Sequence, residues 1–166
     1  MENQELVKKI NEEGQENKEQ AVEEKTVKFL VFRIGEKQYA LHAEQIREIV
    51  MDVPLFYVPF IPPYIRGFIN RHGEPYNVFD VQVLFEQQEL EGETFLILNL
   101  DDDQLAFLIT DIVEICKMPE SAIHSITAAD EHEGYFYGSI TSRDMETFIL
   151  NLGNIIGKLE NDIEVG

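Results

Sequence analysis

The pattern of apolar and polar positions changes near residue 27. Residues 28–34, KFLVFRI, form an apolar run rich in β-branched and aromatic side chains, which is typical of a buried strand. The turn sequence Gly35-Glu36-Lys37 follows, then a second run over 38–41, so the pattern predicts a β-hairpin. Residues 43–50 fit either a helix or a further strand. A long helix after this point is excluded by prolines 54, 59, 62 and 63.

The chain from residue 29 onward repeats itself. Residues 29–49 overlay 95–115 without a gap, and seven of the 21 positions are identical, where ordinary composition gives about one or two. Further along, 64–70 overlays 135–141, and 77–85 overlays 148–156. Identical pairs include Gln38/Gln104, Ile46/Ile112, Glu48/Glu114, Ile49/Ile115, Tyr64/Tyr135, Gly67/Gly138 and Ile69/Ile140. Similar segments in the same order indicate an internal duplication.

The duplication predicts the architecture. Each copy holds four or five short strands separated by turn signals, which favours a small barrel. Two copies of about 60 residues pack together because neither alone offers a large core. We therefore expect a mainly all-β fold with a first barrel at about 27–90 and a second at about 91–157. Residues 158–166 are expected to form a C-terminal tail.

The first 26 residues form an acidic extension with a different composition. They are rich in Glu, Lys, Gln and Asn and contain no aromatic residue. Leu6, Val7 and Ile10 form only a weak helical stripe, and this little apolar surface does not offset the entropy cost of ordering the chain. A solvated tail is favoured over a short helix.

Charge and cysteine content narrow the function classes. A formal net charge of -19 argues against nucleic acid and against anionic membrane surfaces, since both require Lys and Arg clusters. The single cysteine, Cys116, provides neither an intramolecular disulfide nor a zinc cluster. No apolar run has the length of a membrane span and the N-terminus lacks a signal-peptide core, so we expect a cytoplasmic protein without membrane insertion.

No residue pattern predicts catalysis or a cofactor. Glu48, His72 and Asp80 could supply acid–base groups, but no serine or cysteine nucleophile stands in a recognisable elbow. The histidines lack metal-ligand spacing, so no metal site is expected: His42, His72, His124 and His132. Gly67, Gly73 and Gly138 are interpreted as structural glycines at bulges, positive-φ positions or close strand approaches.

Several segments together resemble the CheW-like domain of bacterial chemotaxis. They are FLVFRIGEKQYAL (29–41), IREIV (46–50), PPYIRGFIN with GE two residues later (62–74), the V-x-D-V pattern at 78–81 and the strands of 95–115. The resemblance covers about residues 27–157. It implies two five-stranded SH3-like β-barrels that share a core. It also implies a non-enzymatic adaptor between the histidine kinase CheA, bound through its regulatory domain, and the cytoplasmic tip of methyl-accepting chemoreceptors.

The resemblance also indicates the residues that bind partners. In the family a glutamate equivalent to Glu48 pairs with an arginine, and here His72 stands at the arginine position with Arg71 one residue earlier. We therefore expect Arg71 to share this role, because a guanidinium grips a carboxylate with two hydrogen bonds and an imidazole cannot. The expected partner-binding residues are Ile46, Glu48, Arg71 and His72 near the receptor groove, with Arg66 and Phe68 as weaker candidates.

Three alternatives remain open at this level. The departures at Arg71 and His72 point to a specialised paralogue that serves another receptor or kinase. A small-ligand sensor or enzyme would use a deep polar pocket between the barrels. A general interaction module outside chemotaxis would share the fold without binding the chemotaxis kinase.

Overall fold

The computed structural model describes residues 24–59, 62–126 and 134–165, so most of the acidic extension lies outside the described residues. The chain is mainly β-structure. The elements are β1 (Thr26–Ile34), β2 (Lys37–His42), β3 (Ile46–Met51), β4 (Ile65–Arg71), β5 (Glu74–Phe79), α1 (Val81–Glu86), β6 (Thr94–Leu98), β7 (Leu105–Ile109), β8 (Asp111–Pro119), β9 (His124–Ser125), β10 (Phe136–Ser142), β11 (Met145–Leu150) and α2 (Leu152–Val165).

Two sheets contain these strands, and they are built alike. One has the order β8-β1-β2-β11-β10-β9 and the other the order β3-β6-β7-β5-β4. Under the sequence repeat, β1 and β2 correspond to β6 and β7, and β3, β4 and β5 correspond to β8, β10 and β11. The five-strand order is therefore the same in both sheets. The six-stranded sheet has one strand more than the five expected, the two-residue β9.

The two copies of the repeat exchange strands. The six-stranded sheet contains β1 and β2 of the first copy and β8 to β11 of the second, and the five-stranded sheet contains β6 and β7 of the second copy and β3 to β5 of the first. The predicted division into barrels at 27–90 and 91–157 therefore does not coincide with the sheets. The boundary and the sheets differ because strands of different copies pair with each other: β2 pairs in parallel with β11, and β5 pairs in parallel with β7.

Backbone hydrogen bonds repeat with the sequence. The Asp80 amide donates to the Tyr64 carbonyl at 2.6 Å, and the Asn151 amide donates to the Tyr135 carbonyl at 2.7 Å. Both pairs occupy equivalent positions in the overlay. A short bridge between Phe56 and Phe68 likewise matches the pairing of β9 with β10. The duplication read from the sequence is therefore a duplication of backbone geometry.

The large buried cluster contains residues of both sheets, and a second, smaller cluster is formed by residues of the six-stranded sheet. Alternate residues of β1 belong to two buried clusters: Leu30, Phe32 and Ile34 join the large cluster shared by both sheets, and Phe29 and Val31 join a smaller one. Because β1 is buried on both faces, its sequence is a continuous apolar run rather than an alternating one.

The sequence pattern did not predict the two helices, and it left residues 43–50 open between a helix and a strand. Residues 43–50 form a 3₁₀ turn (Ala43–Gln45) followed by β3. Asp80 lies between β5 and α1. Its carboxylate accepts hydrogen bonds from the backbone amides of Gln82 and Val83 and so caps the N-terminus of α1. The predicted tail boundary at 157 falls inside α2, which the Asn151 side chain caps by accepting from the Asn154 amide.

Two of the three glycines singled out in the sequence, Gly67 and Gly138, lie where another strand segment approaches closely, and Gly73 lies in an open turn. Gly67 has φ +141°, and a Cβ there would lie 2.0 Å from the Phe56 carbonyl oxygen. The equivalent Gly138 approaches the His124 carbonyl, 2.9 Å from the position of a Cβ. Both lie at register shifts of their hairpins. Gly73, with φ +81°, lies in the turn between β4 and β5.

Candidate functional site

A shallow groove runs along the seam between the two sheets. It lies where the edge strand β3 of one sheet faces the edge strand β8 of the other, and its volume is about 250 Å³. We call it the seam groove, and define it by its lining residues: Leu30, Ala43, Ile46, Arg47, Glu48, Ile49 and Ile115. Most of these side chains are apolar, so the groove suits a partner that presents an apolar surface.

Two isoleucines give the seam groove its exposed apolar surface. Ile49 is 39% exposed and Ile115 is 59% exposed, unusually high values for such side chains. Sequence reasoning did not select either of them as a site residue. The signal was present, because Ile49 and Ile115 are an identical pair in the internal repeat. The groove thus has an isoleucine from each copy on its two sides.

The predicted residues Ile46 and Glu48 both line the seam groove. Ile46 is partly buried and pairs with Leu98 on β6. Glu48 accepts a hydrogen bond from Arg71 Nε at 3.0 Å and forms an ion pair with the same guanidinium. This hydrogen bond lowers the pKa of the Glu48 carboxyl, and the nearby His72 acts in the same direction. Glu48 is therefore ionised and held in place at neutral pH.

His72 and Arg71 have different positions on the hairpin of β4 and β5. Arg71 ends β4 and reaches back to Glu48, and both of its contacting nitrogens bind the same carboxylate oxygen. His72 occupies the turn with φ +54° and is exposed. The expected partner of Glu48 is therefore Arg71, and His72 contributes only through its proximity.

The second copy of the repeat has an equivalent arrangement. Glu114, the counterpart of Glu48, accepts a hydrogen bond from Ser142 Oγ at 2.6 Å, and Arg143 Nε lies 3.7 Å from its other oxygen. Ser142 and Arg143 are the counterparts of Arg71 and His72. In both copies, a residue at the end of a hairpin strand donates a hydrogen bond to a glutamate on the strand beside the seam. The donor is Arg71 in the first copy and Ser142 in the second.

Arg66 lies apart from these residues and has structural contacts. Its guanidinium donates to Asp80 Oδ2 at 2.8 Å and to the Leu90 carbonyl at 3.1 Å. Asp80 is 0% exposed and also accepts from the Leu90 amide. Because a buried carboxylate needs such partners, Arg66 holds the β4–α1 region together rather than lining the seam groove.

Phe68 belongs to an aromatic surface outside the seam groove. It stacks on Phe56 with ring centroids 5.2 Å apart, and the two residues exchange backbone hydrogen bonds of 2.8 and 2.9 Å. Phe56 and the adjacent Tyr57 are exposed, Tyr57 by 79%. Phe60, four residues after Phe56 in the sequence, lies outside the described residues.

Other kinds of site have little support in the parts of the chain that the structure describes. There, no three His, Cys, Asp or Glu side chains come together as metal ligands would. Burial raises the pKa of the Cys116 thiol, which keeps it protonated and a poor nucleophile. Within the same described ranges, each helix is too short or too polar to traverse a bilayer.

Comparison with known proteins gives a consistent result. The family model for the CheW-like domain matches residues 28–160. A chemotaxis protein CheW of Helicobacter pylori is 23% identical over 139 residues, which cover 81% of this chain and 84% of the relative. The Bacillus subtilis chemotaxis protein CheW is 28% identical over 101 residues, which cover 59% of this chain and 65% of that protein.

A solved structure shows the same fold. The scaffolding protein TtCheW from Thermoanaerobacter tengcongensis superimposes with a TM-score of 0.68 at 22% identity, covering 77% of this chain and 90% of the other. The family match extends over most of the chain and includes both sheets and the seam groove. The chain therefore belongs to the CheW-like domain family, the chemotaxis adaptor family that the sequence segments resemble.

Proposed function

We propose that the protein is a cytoplasmic, non-catalytic adaptor that couples chemoreceptors to the histidine kinase CheA. It binds the cytoplasmic tip of a methyl-accepting receptor in the seam groove and the regulatory domain of the kinase at a separate surface. The observation that carries the proposal is the seam groove itself, which is open, largely apolar and lined by one exposed isoleucine from each copy of the repeat.

The shape and lining of the seam groove favour a helical partner. Helices bind to apolar grooves by placing side chains spaced three and four residues apart onto the exposed apolar surface. Ile49 and Ile115 are available for such contacts because the fold leaves them uncovered. Glu48, fixed by Arg71, places a charge at the edge of this surface, which sets the orientation of a partner more than its affinity.

An adaptor needs a second surface, and the exposed aromatic residues provide a candidate. Phe56 and Tyr57 lie between β3 and β4, and neither lines the seam groove. Aromatic side chains are common anchors of protein interfaces. We assign this surface to the kinase, since it would allow both partners to bind at once.

A small-ligand sensor or enzyme would require a different cavity. Such sites are enclosed and combine apolar walls with converging polar groups. The seam groove is open, and His72, the residue on which such a pocket would converge, lies exposed at a hairpin turn. The adaptor proposal therefore fits the geometry better.

The test is a pair of binding titrations with the full-length protein. A receptor tip fragment and the purified CheA regulatory domain are titrated separately against the wild type and against the double variant I49A/I115A. Truncating interface anchors commonly weakens binding about tenfold each. We expect the double variant to lose receptor binding at least tenfold and to keep kinase binding.

The matched control is Met145→Ala. Met145 is 42% exposed but does not line the seam groove, so its truncation removes exposed apolar surface elsewhere. We expect both affinities to remain at the wild-type level in this variant. A wild-type protein that binds neither partner contradicts the proposed function, and equal receptor affinity of I49A/I115A and wild type contradicts the assignment of the groove.

A further inference from the structure

Two lysines lie directly opposite each other at one end of the seam groove. Lys28 on β1 and Lys117 on β8 are cross-strand partners in the antiparallel ladder. Like charges at such positions repel each other and destabilise a sheet. Within the described residues no carboxylate forms an ion pair with either lysine, so both charges are available to a partner.

The position of the pair connects it to the groove. Side chains two residues apart on a strand share a face and lie about 7 Å apart. Lys28 precedes Leu30 by two residues and Lys117 follows Ile115 by two, and Leu30 and Ile115 both line the seam groove. Residues between them face the smaller buried cluster, namely Phe29 and Cys116. The lysines therefore extend the groove surface along the β1–β8 ladder.

Lys28 and Lys117 have no side-chain partner in the part of the chain that the structure describes, a property that they share with Lys25 just before β1, but they are the two that face each other across the β1–β8 ladder. In the described ranges, most basic side chains are held by a carboxylate, as in Arg33–Asp111, Lys37–Glu86, Arg66–Asp80, Arg71–Glu48, Arg143–Glu114 and Lys158–Asp162. Among those same residues, Lys28 and Lys117 have neither an ion pair nor a side-chain hydrogen bond, and both are exposed. Acidic side chains outnumber basic ones 32 to 13 in this protein, so two adjacent free cations mark a local exception.

We propose that the seam groove selects a helix whose apolar stripe is flanked at one end by Asp or Glu residues, and that Lys28 and Lys117 bind those carboxylates. The apolar stripe covers Ile49 and Ile115, and the flanking acids reach the lysine pair. This inference rests on the proposed function, because it takes the receptor tip as the helical partner. The inference also fixes the direction of the bound helix, because only one direction places its acidic end at the lysines.

Two neighbouring cations attract an anionic partner more strongly than one does. A carboxylate placed between Lys28 and Lys117 gains two favourable charge contacts at once. Because the site is exposed, the effect is screened by salt. Receptor affinity should therefore fall with ionic strength, and the two lysines should account for part of that dependence.

The test compares two variants that each remove two positive charges. K28Q/K117Q changes the proposed site, and K37Q/K158Q changes two lysines that do not line the groove and that belong to exposed ion pairs. Each is titrated with the receptor tip fragment at low and at high salt. We expect K28Q/K117Q to bind about tenfold more weakly at low salt and with a smaller salt dependence, whereas K37Q/K158Q stays within about twofold of wild type.

Thermal unfolding separates a loss of binding from a loss of folding. Removing a like-charge cross-strand pair should leave the unfolding temperature of K28Q/K117Q unchanged or slightly raised. A charge-reversed pair completes the test: K28E/K117E should recover affinity for a tip fragment whose Asp and Glu residues beside the apolar stripe are replaced by lysine. Wild-type affinity and salt dependence in K28Q/K117Q would overturn the inference while leaving the adaptor function intact. Failure of the wild type to bind the fragment would overturn both.

Discussion

Glu48 on β3 and Arg71 on β4 join the two edge strands of the five-stranded sheet. These strands are the outermost members of the order β3-β6-β7-β5-β4, so the ion pair requires the sheet to curl until its edges meet. Glu114 on β8 and Ser142 on β10 make the corresponding contact in the other sheet. A carboxylate on a strand beside the seam therefore helps to hold the curvature of each sheet.

The first prediction concerns the coupling of Glu48 and Arg71 in receptor binding. If Arg71 acts by holding the carboxylate, E48A and R71A should weaken binding of the receptor tip by the same factor, up to about fivefold. The double variant E48A/R71A should bind no more weakly than either single variant, because both substitutions remove one interaction. A titration of all four proteins measures this double-mutant cycle.

Substitution of the neighbouring histidine provides the control for this cycle. His72 is exposed at the turn and makes no hydrogen bond to Glu48, so H72A should change receptor affinity less than R71A does. Additive effects of E48A and R71A would instead show that each side chain contacts the receptor independently.

The second prediction concerns pH. Hydrogen bonding from Arg71 lowers the pKa of Glu48 from its ordinary value of 4.5. A carboxyl with a lowered folded-state pKa stabilises the fold above its unfolded-state pKa, and this contribution is lost as the pH falls through the folded-state value. The difference in unfolding temperature between wild type and E48Q should therefore be constant near neutrality and shrink below about pH 4.5. Calorimetric scans across this range measure it, and a difference that grows on acidification would contradict the pair.

Sequence reasoning predicted the fold well where a regular pattern carried the information. The mainly β architecture and the CheW-like family follow from apolar runs and turn signals, and the matched backbone contacts of Asp80 and Asn151 reproduce the duplication. The exchange of strands between copies was not predictable, because local periodicity does not report which distant strand pairs in parallel with β2 or β5. Such pairings depend on the whole topology.

The candidate site was predictable only in part. The Glu48–Arg71 contact could be inferred from residue types, since an arginine one position away can replace the expected one. The roles of Ile49 and Ile115 could not, because an isoleucine in a strand is usually buried and only the three-dimensional seam leaves these two exposed. Arg66 is a weaker binding candidate in the family pattern because it lies on the strand neighbouring the expected groove residues, and the local sequence does not indicate that its partner is the buried Asp80.

The third prediction assigns Arg66 a structural role. Removing one partner of a buried ion pair typically costs about 3 kcal/mol or more, and Asp80 is fully buried. R66A should therefore lower stability by about 2–4 kcal/mol. Additional D80N should recover part of this loss, since Asn151 already caps a helix at the equivalent position with a tyrosine, Tyr137, in place of the arginine. Chemical denaturation of the single and double variants measures the free energies, and equal stability of R66A and R66A/D80N would contradict this role.

The fourth prediction compares two glycines on one hairpin. Both Gly67 and Gly73 have positive φ, but a Cβ at Gly67 would overlap the Phe56 carbonyl oxygen, whereas a Cβ at Gly73 has no atom within 4 Å. Ala at Gly73 should therefore cost only the backbone strain of a positive φ, about 1 kcal/mol. Ala at Gly67 must also displace the segment that carries Phe56 and Tyr57, so we expect a loss above about 2 kcal/mol.

If the aromatic surface binds the kinase, G67A should weaken kinase binding even at temperatures where the protein remains folded, and G73A should not. Comparable stability losses in the two variants would show that the backbone at Phe56 moves away from a Cβ at residue 67 at little energetic cost.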